Sequence, residues 1–185
     1  RAYEGIVYVA NPVEEQYQQL NVYIPEAYFN GETINGFNAQ TAPIFFPNGI
    51  GGYMPAKPLS LTGGKFKDTN NSLIMALSKG FVVASPGARG RTSATGKAPA
   101  VIVDLKAAVR YLKYNDKEIP GDANKIISNG TSAGGASSAL LGASGNQVAY
   151  EPYLKELGAA PATDAIFAVS AYCPITNLEN ADKAY

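Results

Sequence analysis

Ile126-Ile127-Ser128-Asn129-Gly130-Thr131-Ser132-Ala133-Gly134-Gly135-Ala136 is the stretch on which the fold turns. The two isoleucines predict a short strand over 125–128, and the small residues that follow predict a helix over 136–142. Residues 129–135 must then turn sharply between them. Gly130-Thr131-Ser132-Ala133-Gly134 has the spacing G-x-S-x-G. That spacing holds a serine at the tip of a strained strand-to-helix turn, with its hydroxyl clear of the sheet edge. Glycine on either side lets the strand and helix backbones approach. The Ala133 amide falls at the helix N-terminus, where free N–H groups and the dipole favour an anion. The spacing alone is weak, since glycine-rich chains match it by chance roughly once in ten. A glycine-rich turn with an incidental serine is the plain alternative. The strand before and the helix after favour Ser132 as a nucleophile.

Working outward, residues 43–46 are a short apolar strand fit for a buried central position. It runs into Pro47-Asn48-Gly49-Ile50-Gly51-Gly52-Tyr53, a loop whose glycines permit close approach to a substrate carbonyl. The amide of Ile50 or Gly51 is the expected second oxyanion donor beside Ala133. An ordinary flexible turn is the alternative. Tyr53 suits either the mouth of a pocket or simple packing. The next strand, 81–84, leads into Ser85-Pro86-Gly87-Ala88-Arg89-Gly90-Arg91. Its two arginines lie on the edge where such sheets bind ligands. They either meet an acidic substrate, tune the pocket or, as arginines there more often do, form structural salt bridges.

A helix starts near Pro99, with Val101, Leu105, Ala108, Val109 and Leu112 on one face. Asp104 on it reads as a surface or helix-packing carboxylate. Residues 71–79 are a helix stopped by Gly80, 5–10 and 19–24 an antiparallel opening pair, 29–40 a loop, and 166–172 a further strand. Strands alternating with helices predict an α/β sheet. Asp164 and Asp182 precede the place where this architecture carries a catalytic acid, so neither is expected to serve as one.

Composition narrows the function. Fifteen basic residues balance fifteen acidic ones, so no basic field exists for nucleic acid or an anionic membrane. No apolar run approaches the roughly 20 residues of a bilayer span. Cys173 is the only cysteine, which leaves no intrachain disulfide and no cysteine-rich metal site. Low charge with 12 Tyr and 19 Gly leans towards an exported protein. The chain holds no histidine, the usual base of a serine hydrolase. The expectation is therefore that the base lies on further polypeptide. The strand near Tyr172 points the same way, because a parallel edge strand needs a crossover and partner to cover it.

Ala10-Asn11-Pro12-Val13, Leu20-Asn21-Val22-Tyr23-Ile24-Pro25, Phe46-Pro47-Asn48-Gly49-Ile50-Gly51-Gly52-Tyr53-Met54-Pro55, the 85–91 loop and Gly130-Thr131-Ser132-Ala133-Gly134-Gly135-Ala136 together resemble bacterial tannases and their feruloyl-esterase-like relatives. The block around Gly51-Gly52-Tyr53-Met54-Pro55 is the most specific part. The resemblance implies the N-terminal portion, residues 1–185, of a single α/β-hydrolase domain with a mostly parallel sheet and helices on both faces. The rest of the sheet and an inserted lid are then expected after residue 185. It further implies a serine esterase for gallic or related phenolic acid esters, working through an acyl-enzyme and needing no cofactor. Ser132 takes the nucleophile position, and Ala133 and Ile50 the oxyanion positions. Ile175 takes an apolar contact to the acyl ring; apart from the resemblance, Gly52 and Tyr53 are candidate substrate-binding residues by their place in the loop after the third strand. The Asp and His would come from the C-terminal segment or chain, so these residues alone are expected to be inactive. Feruloyl or general carboxylesterases, peptidases, and a non-catalytic binding module of the same fold are the competing readings.

Overall fold

The computed structural model describes residues 1–61, 67–175 and 177, with backbone alone over 67–71. Six strands, β1 (Ala2–Val7), β2 (Gln19–Tyr23), β3 (Pro43–Pro47), β4 (Val82–Pro86), β5 (Asp122–Thr131) and β6 (Ala168–Tyr172), form one sheet in the order β1-β2-β4-β3-β5-β6. β2 pairs antiparallel with both β1 and β4, while the β4, β3, β5 and β6 neighbours are parallel. The chain places α1 (Lys67–Ser78) between β3 and β4, α2 (Ala100–Tyr114) between β4 and β5, and α3 (Ala133–Ala143) and α4 (Glu151–Glu156) between β5 and β6. This is the opening topology of the α/β-hydrolase fold.

Side-chain alternation along the strands builds two cores. Ile44 and Phe46 of β3 join Val82 and Ala84 of β4 beneath Ile102, Leu105, Val109 and Leu112 of α2, with Leu141 of α3 in the same cluster. On the opposite face Tyr23 and Val83 pack with Leu73 and Ala76 of α1. Helices therefore cover both faces. All five residues of β4 are buried, as befits a strand flanked on both edges and covered on both faces.

Several boundaries differ from the sequence expectation. β5 starts at Asp122, not 125, because Pro43 pairs with Asp122 while Ile44 pairs with Ile126. The polar residues between fall in that irregularity and carry no strand pattern. α3 begins at Ala133, three residues early, since tertiary packing overrides the low helix propensity of Gly134 and Gly135. β1 begins at Ala2, α1 at Lys67, and β4 runs to Pro86. The loop at 29–40 opens with a 3-10 helix, Glu26–Asn30. α4 was not expected at all: it is only six residues long, too short for a periodic pattern to stand out.

Buried charges lock the layers. Asp104 is wholly buried, not on the surface, and accepts hydrogen bonds from the Arg89 backbone N–H (2.8 Å), the Arg89 guanidinium (2.8 Å) and Gln18 Nε2 (3.1 Å). This ties the loop after β4 to α2. Asp164 takes Lys106 Nζ (2.8 Å), Arg110 Nε (2.9 Å) and the Asn146 N–H (2.7 Å). Arg110 also reaches Glu151 on α4. Burial alone raises the Asp164 carboxyl, but the hydrogen bonds from Lys106, Asn146 and Arg110 outweigh it and hold that carboxyl below the usual range.

Candidate active site

β5 ends at Thr131 and α3 starts at Ala133, leaving Ser132 alone at the junction with φ 58° and ψ −120°. A positive φ is strained for a serine, and such strain persists only where the surroundings impose it. Here they do. The Ser132 N–H donates to the Tyr172 carbonyl of β6 (3.0 Å), and the Ser132 carbonyl accepts the first helical bond, from Ala136 (2.9 Å). The side chain is exposed, and its hydroxyl has no hydrogen-bond partner among the described residues.

The flanking glycines are required by contact. A Cβ on Gly130 would stand 2.3 Å from the Gly134 carbonyl oxygen, and one on Gly135 would stand 2.5 Å from the Tyr172 carbonyl. A Cβ on Gly134 would lie 2.5 Å from Asn48 Oδ1 and 2.8 Å from the Ile50 carbonyl. The G-x-S-x-G spacing thus brings β5, β6, α3 and the loop after β3 to one point.

The candidate oxyanion donors differ in what they already bind. The Ala133 amide stands at the N-terminus of α3, ahead of the first intrahelical bond. The Ile50 amide is engaged by Asn48 Oδ1 at 3.3 Å, a long contact, and Ile50 itself is buried. The amide of Gly51, an exposed residue, has no acceptor among the described residues.

Along α3, from Ala136 to Ala143, lies an apolar cavity of about 750 Å³. Tyr53 and Ile175 line it together with Arg91, Pro99, Leu140 and Tyr150. Ala136 and Ser137 carry it to within one helical turn of Ser132. Burial pushes the Tyr53 phenol up. The exposed Gly52 adjoins Tyr53 on the same loop.

The other polar candidates divide. Arg89 is consumed by Asp104, whereas Arg91 faces the cavity. Asp164 meets Asn146, beyond the C-terminus of α3, whose 11 residues span about 16 Å from the Ser132 end. Asp182 lies outside the described residues. Sequence reasoning valued the loop after β3 for its glycines and missed Asn48. That buried side chain donates to Asn129, Gly134 and Ser138, residues 81 to 90 positions away, a relation no local pattern announces.

The model of the BD-FAE family matches residues 61–185. The tannase of Fusobacterium nucleatum is 66% identical over the whole chain, with a TM-score of 0.95. A tannase of Lactobacillus plantarum is 53% identical over the whole chain, with a TM-score of 0.96, and a tannin acyl hydrolase in complex with ethyl gallate is 53% identical with a TM-score of 0.95. The chain spans 40% of the first of these structures, 41% of the second and 42% of the third. No curated protein sequence matches it. With more than half its length matched and the sheet order of the α/β-hydrolase fold, this chain belongs to the BD-FAE family and is built like the bacterial tannases.

Proposed function

We propose that this chain carries the nucleophile and oxyanion site of a serine esterase that hydrolyses phenolic acid esters, gallate esters foremost. The observation that carries the reading is the exposed Ser132 hydroxyl, held at positive φ above the unpaired N-terminus of α3. Ser132 Oγ attacks the ester carbonyl, and the oxyanion forms against the Ala133 amide and an amide of the 50–51 loop. The acyl group stays on Ser132 until water releases the acid. Tyr53 and Ile175 receive the aromatic ring in the apolar cavity they line, and a tannin acyl hydrolase relative in complex with ethyl gallate supports an aromatic acyl group as the substrate class.

The base comes from outside these residues, which hold no histidine. It is proposed to lie in the polypeptide that the relatives carry beyond the matched 40%, together with the acid that orients it. β6 supports a partner on its side, because Phe167, Val169 and Tyr172 are exposed there. The test is hydrolysis by the full-length protein of methyl gallate, methyl ferulate and a short aliphatic ester, with Ser132→Ala beside the wild type. Gallate is expected to give the highest kcat/KM, and the variant to lose on the order of 10⁶ in rate. Equal turnover by the variant overturns the reading.

A further inference from the structure

The two glycines of the elbow leave room for one particular side chain. A Cβ on Gly134 would stand 2.5 Å from Asn48 Oδ1, and a Cβ on Gly130 would stand 2.8 Å from Asn48 Nδ2. The Asn48 amide fills the space both leave open. Its Nδ2 donates to the Asn129 carbonyl (3.0 Å) and to Ser138 Oγ (3.0 Å), with the Gly134 carbonyl at 3.3 Å. Its Oδ1 accepts from the Ile50 N–H. Its backbone N–H donates to the same Asn129 carbonyl at 3.0 Å. One buried side chain thereby fastens the end of β5, the first turns of α3 and the loop after β3 to each other.

We propose that Asn48 is the positioning residue of the oxyanion site: it fixes the 50–51 loop against the elbow, so that the loop amide and the Ala133 amide converge on one oxygen. The inference rests on the esterase reading above. A side-chain amide is the group that fits. Two N–H bonds meet carbonyl and hydroxyl acceptors while the oxygen meets an amide N–H. An aspartate of the same shape turns an oxygen towards the Asn129 and Gly134 carbonyls and repels them. An alanine takes the side-chain partner from the Gly134 carbonyl, the Ser138 hydroxyl and the Ile50 amide, while the Asn129 carbonyl keeps only the Asn48 backbone N–H.

Asn48→Asp and Asn48→Ala in the full-length protein are expected to lower kcat on methyl gallate about 10²-fold, the cost of misplacing one oxyanion donor. KM should change less than about threefold, because the loop donor acts on the transition state and not on the bound ester. Affinity for a boronic acid, whose adduct with Ser132 mimics the tetrahedral oxyanion, should fall by the same factor as kcat. Affinity for free gallate should hold. A merely structural role moves both affinities together. Ser138→Ala, which removes one acceptor and no backbone contact, provides a milder variant should the Asn48 changes not fold. It is expected to lower kcat several-fold with the same selectivity for the boronate. Normal kcat in every folded variant, or equal loss of boronate and gallate affinity, overturns the proposal. Failure of the wild type to hydrolyse esters and to bind the boronate instead overturns the esterase reading itself.

Discussion

Gly130→Ala puts the geometry of the elbow under direct stress. The new methyl would sit 2.3 Å from the Gly134 carbonyl oxygen, 2.4 Å from the Gly134 carbonyl carbon and 2.8 Å from Asn48 Nδ2. The first two are backbone atoms of a helix start, so no rotamer change relieves them. Overpacking of this kind costs about 1–3 kcal/mol. Restoring normal contact needs a shift of more than about 1 Å, which strips Asn48 of its bonds to Gly134 and Ser138 at about 1 kcal/mol each. The sum is a destabilisation of about 3–5 kcal/mol. Gly51→Ala is the control: its Cβ would meet nothing within 4 Å. It should move stability by less than about 0.5 kcal/mol, as surface changes do. Urea denaturation of the full-length protein, followed by circular dichroism, measures both. A loss below about 1 kcal/mol for Gly130→Ala would mean the elbow has slack that the contacts do not show, and would refute the reasoning.

Asp164→Asn leaves Lys106 and Arg110 short of their buried counter-charge and should cost about 3–5 kcal/mol in the same denaturation assay. The Asp164 carboxyl titrates lower in the folded state than in the unfolded chain, so its stabilising effect is complete above the ordinary carboxylate pKa. That effect fades as pH falls towards its lowered folded value. The Asn variant should therefore lose less stability on acidification, and parallel acid-unfolding curves would argue against this pairing. Asp104→Ala strands the Arg89 guanidinium and frees the loop after β4, with an expected loss of about 3–5 kcal/mol in thermal or urea unfolding. Ile175→Ala removes part of the cavity wall; about 1 kcal/mol of lost ring contact raises KM for methyl gallate roughly fivefold, while a short aliphatic ester should be little affected.

The alternation of strand and helix was legible because the central strands at 43–47 and 82–86 are short apolar runs with Gly or Pro close by. The sharp turn at Ser132 was legible because the glycines that permit it, Gly130, Gly134 and Gly135, lie within three residues of it, whereas the distant Tyr172 and Asn48 that press on it were not. What escaped notice depends on distant partners. Asn48 is defined by acceptors 81 to 90 residues away, and Asp104 looks like any helical carboxylate until Arg89 folds back onto it. α4 is held by Leu154 in the core and by Arg110 reaching Glu151, and six residues are too few to show a periodic face. Tyr53 and Ile175 were singled out separately and share a cavity only because the loop after β3 and the segment after β6 end on the same side of α3.

The central claim is that the Ser132 hydroxyl is an activated nucleophile. Treating the full-length protein with a fluorophosphonate, digesting it and reading the modified peptide by mass spectrometry tests this most directly. A single stoichiometric adduct on Ser132, absent from Ser132→Ala and suppressed by methyl gallate, is the predicted result. An unmodified Ser132, or an adduct on another residue with esterase activity retained, contradicts the account.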